Sequence, residues 1–251
     1  MAECASMTAL AWSLRSLDIA VISFLNGFAH RSWAFDALVA MISTNALIKG
    51  GLVTALIWWA WFRPGPKQAE HRELLVAGMA AAFVGLFVAR GLAEALPFRE
   101  RPMWSAAVHF QPPYFLNEAV VIRWSSFPSD HAALFFALAM CLFFVSRRAG
   151  IVSLIYVFVV VCLPRVYMGF HYPTDILAGA ALGVGAAYLA RISWLRVRLC
   201  RPAMRWLEQS PGTFYVGLFL LTFQIAVTFD SLRHIARYLA QLGKILLHMG
   251  A

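Results

Sequence analysis

Long apolar blocks alternate with short basic or proline-rich connections along this chain. Residues 74–96 form one block, interrupted only by Arg90 and Glu94, and are long enough to cross a bilayer as a helix. Residues 45–62 form another, with Lys49 near one end where its amine can reach the interface. Arg63-Pro64-Gly65-Pro66-Lys67 makes the turn between them. The pattern changes over residues 97–127, which hold Pro112-Pro113 and the aromatics Trp104, Phe110, Tyr114, Phe115 and Trp124, as suits a loop in the headgroup layer. Blocks at 129–145, 151–166, 173–190 and 213–229 predict further spans. The expected fold is all-α, an integral membrane helical bundle of about six transmembrane spans, because helices satisfy their own backbone groups in lipid.

The two ends are less regular. Residues 17–41 are apolar but broken by Asp18, Asn26, His30, Arg31 and Asp36, and read as one crossing or as two short interfacial helices. After Asp230, Leu232, Ile235, Leu239, Leu242 and Leu246 recur at helical spacing with Arg233, Arg237 and Lys244 elsewhere, which predicts an amphipathic C-terminal helix on the membrane. The expected organisation is an N-terminal interfacial or membrane segment (1–44), a catalytic membrane domain (45–192), and a basic connection, additional span and tail (193–251).

Composition supports the membrane reading: 61% of the 251 residues are hydrophobic and 13% charged, with mean hydropathy +0.71. Soluble domains carry about twice that share of charge. The net charge of +9 does not imply nucleic acid, because the cations sit in connections between spans. Three fall in 63–72 (Arg63, Lys67, Arg72), two in 146–150 (Arg147, Arg148) and five in 191–205 (Arg191, Arg196, Arg198, Arg201, Arg205). Taken in order, the spans put all three connections on one side, which the positive-inside rule makes cytoplasmic. The expected topology is multi-pass, with the loop 97–127 and residues 165–175 on the opposite, outer face. The four cysteines (Cys4, Cys141, Cys162, Cys200) are scattered and predict neither disulfide nor metal site.

Three segments converge on the outer side: 97–102, 127–131 and 165–175. Arg101 and Arg165 are permanent cations whose fork matches phosphate oxygens. Ser129 stands at a helix start, where its hydroxyl and the first-turn N–H groups can hold an anion. Pro173 suits the first helical position. His171 precedes that helix with Asp175 four residues on, so a carboxylate can take one imidazole proton and leave the other nitrogen to attack phosphorus. His131 is suited to protonating the leaving oxygen. Two guanidiniums, a helix start and two histidines describe a phosphoryl-transfer site. Metal ligation by Asp130, His131, His171 and Asp175 is the rival, and the two fixed positive charges count against it.

These segments resemble the three-part signature of the type 2 phosphatidate phosphatase superfamily, Lys-x6-Arg-Pro, Pro-Ser-Gly-His and Ser-Arg-x5-His-x3-Asp. Arg101-Pro102, Pro128-Ser129-x-His131 and Arg165, His171, Asp175 align with it. The forms at 126–131 and 171–175 look most like bacterial undecaprenyl-diphosphate phosphatases. The resemblance implies a phosphohistidine on His171, oriented by Asp175, with His131 as general acid and then water-activating base. Arg101, Ser129 and Arg165 would bind phosphate, with no metal or other cofactor, and the substrate would be a membrane lipid phosphate. Hydrolysis of phosphatidylglycerophosphate or phosphatidate, transfer of the phosphate to an acceptor, and a non-catalytic anion-binding role are the alternatives. Vanadate-dependent peroxidase chemistry, which related sites support, is at odds with the apolar blocks.

Three positions depart from the pattern: Glu94 for the lysine, Pro164 for the serine and Asp130 for the glycine. Glu94 is expected to pair with Arg90 one turn earlier. Arg90 is expected to lean away from the site, which leaves Arg99 to supply the missing cation at the phosphate. His109 reads as a surface residue.

Overall fold

The computed structural model describes residues 2–116 and 124–227. Ten α-helices occur among them and no strand. They are α1 (Ala2–Asn26), α2 (Trp33–Thr44), α3 (Leu52–Phe62), α4 (Gln68–Ala95), α5 (Asp130–Val145), α6 (Arg147–Tyr156), α7 (Leu163–Tyr167), α8 (Pro173–Ala190), α9 (Ser193–Gln209) and α10 (Pro211–Ala226). A π-helical turn, Leu47–Gly51, leads into α3, and another, Val157–Cys162, joins α6 to α7. Pro164 has no N–H to give the preceding turn, which fits a π-helical stretch just ahead of it.

The fold is the all-α membrane architecture expected. Helix α4, the rod Arg147–Tyr167 and α8 are each long and apolar enough to cross a bilayer. Trp33–Thr44 with Leu47–Phe62 makes a fourth candidate, bent by 62°, and α5 and α10 are shorter apolar helices. All six apolar blocks are therefore helical, although length alone qualifies three or four as spans. The bend has a local cause. Asn45 leaves helical geometry (φ −72°, ψ 118°), ends α2 through its N–H to Met41 O, and caps the next helix by accepting the Ile48 N–H at 3.1 Å. The amphipathic tail expected after Asp230 lies outside the described residues.

The centre of the bundle is α4, α5 and α8. Nearly every side chain of α5 is buried, including Leu134, Phe135, Leu138 and Leu142. Small residues let the backbones meet: Gly78 lies against Cys141, Gly85 against Ala133, Gly179 against Ser129 and Gly183 against Ala133. These pairs fix the register. Helices α4 and α5 run antiparallel, α5 and α8 parallel, so α5 and α8 begin at the same end of the molecule. Large side chains such as Phe24, Phe87, Leu177 and Val216 are exposed on the outside, as a lipid-facing surface requires.

The interruptions in 17–41 turn out to be tethers. The segment is two helices, and Asp18, Asn26, His30 and Asp36 tie them to the outer loop or to α7 and α8. Asn26 clamps Gln111 from both sides, donating to its carbonyl at 2.7 Å and accepting its N–H at 2.8 Å. His30 Nε2 lies 2.8 Å from Pro112 O. Buried Asp36 accepts the Tyr167 hydroxyl at 2.5 Å and the N–H groups of His30 and Tyr114 at 3.1 and 3.0 Å. Buried Asp18 accepts the Thr174 N–H at 3.0 Å and its hydroxyl at 2.6 Å, capping the start of α8.

Candidate active site

The parallel starts of α5 and α8 make the floor of the site. The Ser129 N–H donates to Asp175 O at 3.0 Å, and Gly179 allows that approach because any Cβ there would strike Ser129. Between α7 and α8 the chain turns at Gly169, whose φ of +70° disfavours other residues and whose absent side chain leaves room for the Phe110 ring. The outer loop is laced to this turn. Met103 N–H donates to Gly169 O at 3.0 Å, the Arg101 guanidinium to Phe170 O at 2.8 Å, and Ser126 N–H to Arg99 O at 2.9 Å.

His171 is buried. Its Nδ1 lies 2.8 Å from the Ser126 carbonyl and 3.7 Å from Asp175 Oδ2. A carbonyl only accepts, so Nδ1 carries the proton and Nε2 keeps its lone pair. Burial, helped by Arg101 and Arg165, holds the imidazole pKa below its ordinary value, against the opposing pull of Asp175. The proton acceptor anticipated at Asp175 is thus the Ser126 carbonyl in this geometry. Asp175 itself accepts the Tyr172 N–H at 2.7 Å and the Arg99 guanidinium at 2.5 Å.

Arg101 and Arg165 stand in electrostatic reach of each other and of His171. Burial and then Arg165 lower the Arg101 pKa to about 10, so it stays charged at neutral pH. Its Nε is buried without a hydrogen-bond partner among the described residues. Two cations held together, one with a donor left over, form a place for an anion. Ser129 Oγ accepts the Ala132 N–H at 3.4 Å, and the His131 N–H goes to Asp130 Oδ1 at 2.8 Å. The first-turn amides expected to hold an anion are therefore largely engaged within the helix.

The cations around the missing lysine differ from expectation. Arg90 does not pair with Glu94; it pairs with Asp130 and lies over the Trp124 ring at 4.3 Å, while Glu94 is exposed. The reason is register: the antiparallel packing that sets Gly85 against Ala133 brings Arg90 level with the start of α5. Asp130 in turn holds His131 Nδ1 at 2.8 Å. Arg99 sits between two carboxylates, 2.6 Å from Asp18 and 2.5 Å from Asp175, with 2.8 Å to the Thr174 hydroxyl and the Tyr172 ring 4.2 Å beneath it. Its donors are engaged by Asp18, Asp175 and Thr174, which ties the start of α8 to α1. Asp18 and Ser126 escaped the sequence reading, and Arg90, a charge inside a span that demands a partner, was given Glu94 where the structure gives Asp130. His109 is exposed, as expected.

The profile of the PAP2 superfamily matches residues 33–199. The chain belongs to the PAP2 superfamily. As a PAP2 protein it is a membrane phosphatase. It is 29% identical to YbjG of Escherichia coli over 187 residues, 72% of this chain and 84% of that one. It is 24% identical to undecaprenyl-diphosphatase BcrC of Bacillus subtilis over 173 residues, 69% and 82% of the two chains. It is 28% identical to lipid A 1-diphosphate synthase of Escherichia coli over 176 residues, 65% and 70% of the two. No solved structure gives a significant match. A cavity of about 530 Å³ adjoins the PAP2 motifs, lined by Leu14, Arg15, Phe98, Arg99, Tyr172 and Thr174 among others.

Proposed function

We propose that this PAP2 enzyme hydrolyses the diphosphate of a membrane lipid carrier, undecaprenyl diphosphate to undecaprenyl phosphate, through a phosphohistidine on His171. The observation that carries the reading is the Ser126 carbonyl holding His171 Nδ1–H, which leaves a neutral Nε2 beside two guanidiniums. Nε2 forms a bond to the terminal phosphorus as the P–O bond to the lipid phosphate breaks. His131, acting as the imidazolium with Nδ1–H on Asp130, gives its Nε2 proton to the departing oxygen, then takes one back at Nε2 from the water that attacks the phosphohistidine, releasing inorganic phosphate and free His171. Arg101, Arg165 and the Ser129 hydroxyl neutralise the oxygens that gain charge. Asp130, held by Arg90, fixes the His131 ring with Nε2 outward, and Asp175 adds a negative field near His171.

The metal-independent form of the reaction is supported by how the carboxylates are used: Asp130 serves Arg90 and His131, Asp175 serves Arg99 and Tyr172. A bacterial inner membrane with the site facing the periplasm is supported by the basic connections 63–72, 146–150 and 191–205, which lie at the end away from the starts of α5 and α8. The amphipathic lining of the 530 Å³ cavity suits the headgroup end of a lipid.

The test is phosphate release by detergent-purified protein in excess EDTA, from undecaprenyl diphosphate, phosphatidylglycerophosphate and phosphatidate, with His171→Ala as control. Release that survives EDTA, vanishes in the variant and favours the diphosphate is expected; loss of release in EDTA would overturn metal independence, and preference for another lipid would overturn the substrate. The likeness to lipid A 1-diphosphate synthase favours a second reading, phosphate transfer to an acceptor lipid. Release that appears only when an acceptor lipid is added would select it.

A further inference from the structure

Helix α9 connects α8 to α10 at the end of the bundle opposite His171, since α8 begins at the site and runs about 27 Å away from it. Its two faces are used differently. Toward the protein, Arg196 reaches Glu73 at 3.5 Å and Glu70 at 4.0 Å, and buried Cys200 donates to Glu73 O at 3.0 Å. On the other side, Trp194, Arg198, Arg201 and Arg205 recur at intervals of three and four and form one stripe. These four residues, with Val197 and Pro202, line an open hollow of about 710 Å³. None of the three arginines has an ion-pair partner among the described residues, and Glu208, the sole carboxylate of α9, does not line the hollow. Trp194 is 66% exposed.

We infer that this stripe is a binding site for an anionic phospholipid of the adjacent leaflet, separate from the catalytic site and independent of the substrate proposed for it. Three guanidiniums with no carboxylate among the lining residues complement a phosphodiester that carries net negative charge, and each can donate two parallel hydrogen bonds to its oxygens. The exposed indole of Trp194 belongs at headgroup depth. The connections before and after α9 fix that depth, because α8 must end and α10 begin at the membrane face. A basic stripe that acted only as a topology signal would have no need of a hollow or of one shared face.

Native mass spectrometry of the full chain in detergent, after addition of phosphatidylglycerol or phosphatidylcholine, tests this. The wild type should retain phosphatidylglycerol about tenfold more than phosphatidylcholine, a modest demand on three cations at the membrane surface. Combined Arg198→Gln, Arg201→Gln and Arg205→Gln should bring the two lipids to parity, while Arg31→Gln, at the other end of the molecule, should leave the preference intact. Excess inorganic phosphate should not displace the lipid. Combined Arg→Lys changes at the three positions should keep most of the preference, which separates loss of binding from loss of fold. Equal retention by the wild type, or a preference that survives the triple Gln variant, would overturn the site. Phosphate release from solubilised substrate should be the same in the triple variant as in the wild type; loss of release would instead tie the stripe to catalysis.

Discussion

Asp36 and Arg101 are both charged groups packed into the outer half of the bundle, and their surroundings are opposite in kind. Asp36 is fully buried and receives three donors: the Tyr167 hydroxyl and the N–H groups of His30 and Tyr114. Its charge is answered on every side, and the answer joins α2, the outer loop and α7. Among the described residues Arg101 donates to Phe170 O, keeps a buried Nε with no partner, and has Arg165 as a neighbour of the same sign. Neutral hydroxyls at Ser43 and Ser153 are also left over, but a rotating hydroxyl costs far less unpaired than a guanidinium. The contrast teaches that a buried charge with all its valences met is architecture, and one held against a like charge with a donor to spare awaits a ligand.

The sharpest break between the two regions should come from His171→Ala. Removing the proposed nucleophile is expected to lower kcat by about 10³-fold or more with thermal unfolding in detergent nearly unchanged. A variant that loses its fold along with its activity would place His171 with Asp36 instead. In the wild type, the depressed His171 pKa keeps the ring neutral to lower pH than an ordinary histidine. The acid limb of kcat/KM assigned to it should therefore fall below about pH 6.5. A limb above that value would contradict the assignment.

His131→Gln should cost about 10²- to 10⁴-fold, and most on substrates with poor leaving groups, because the acid matters in proportion to the charge on the departing oxygen. Asp130→Asn should show the same leaving-group dependence at smaller size, since the ring remains but its tautomer and orientation are no longer set by a carboxylate. Equal losses on good and poor leaving groups would sink both roles.

The clustering of the proposed catalytic residues was legible from sequence because it is local. Arg165, His171 and Asp175 lie within one helix end, one turn and one helix start, and the three outer segments met where the apolar blocks put them. The helical character of all six blocks was legible for the same reason, since periodicity and length are carried by neighbours. What escaped depended on register between helices far apart in sequence. Whether Arg90 meets Glu94 or Asp130 is decided by Gly78 and Gly85 seating against α5, and no local rule says so. Arg99 looked like a spare cation because Asp18, which claims it, is 81 residues away. The polar breaks in 17–41 left one crossing or two short helices open, whereas Asp18, Asn26, His30 and Asp36 are tethers whose partners lie in the outer loop, α7 or α8.

Among those tethers, Asp36→Ala should leave a buried phenol and two part-buried amides without an acceptor, at roughly 1–3 kcal/mol for each group that water cannot reach. A total near 3 kcal/mol is expected as lowered thermal stability, with kcat per folded molecule within about twofold of wild type. A loss of kcat without loss of stability would erase the distinction between Asp36 and Arg101.

Arg99 lies between the two classes and gives the finest test. Breaking a buried ion pair costs about 3–5 kcal/mol, but its guanidinium is 30% exposed, so Arg99→Ala should destabilise by only roughly 2 kcal/mol. Its effect on catalysis discriminates more sharply. Were Arg99 a phosphate ligand, KM would rise and kcat would change little. As the group that holds Asp175 and the Asp18 cap on α8, it should lower kcat by about tenfold through a displaced helix start, with KM nearly constant. Arg99→Lys should recover only part of that loss, because one ammonium cannot span Asp18, Thr174 and Asp175 as the planar fork does. Full recovery by lysine would mean that charge alone matters there, and would return Arg99 to the phosphate.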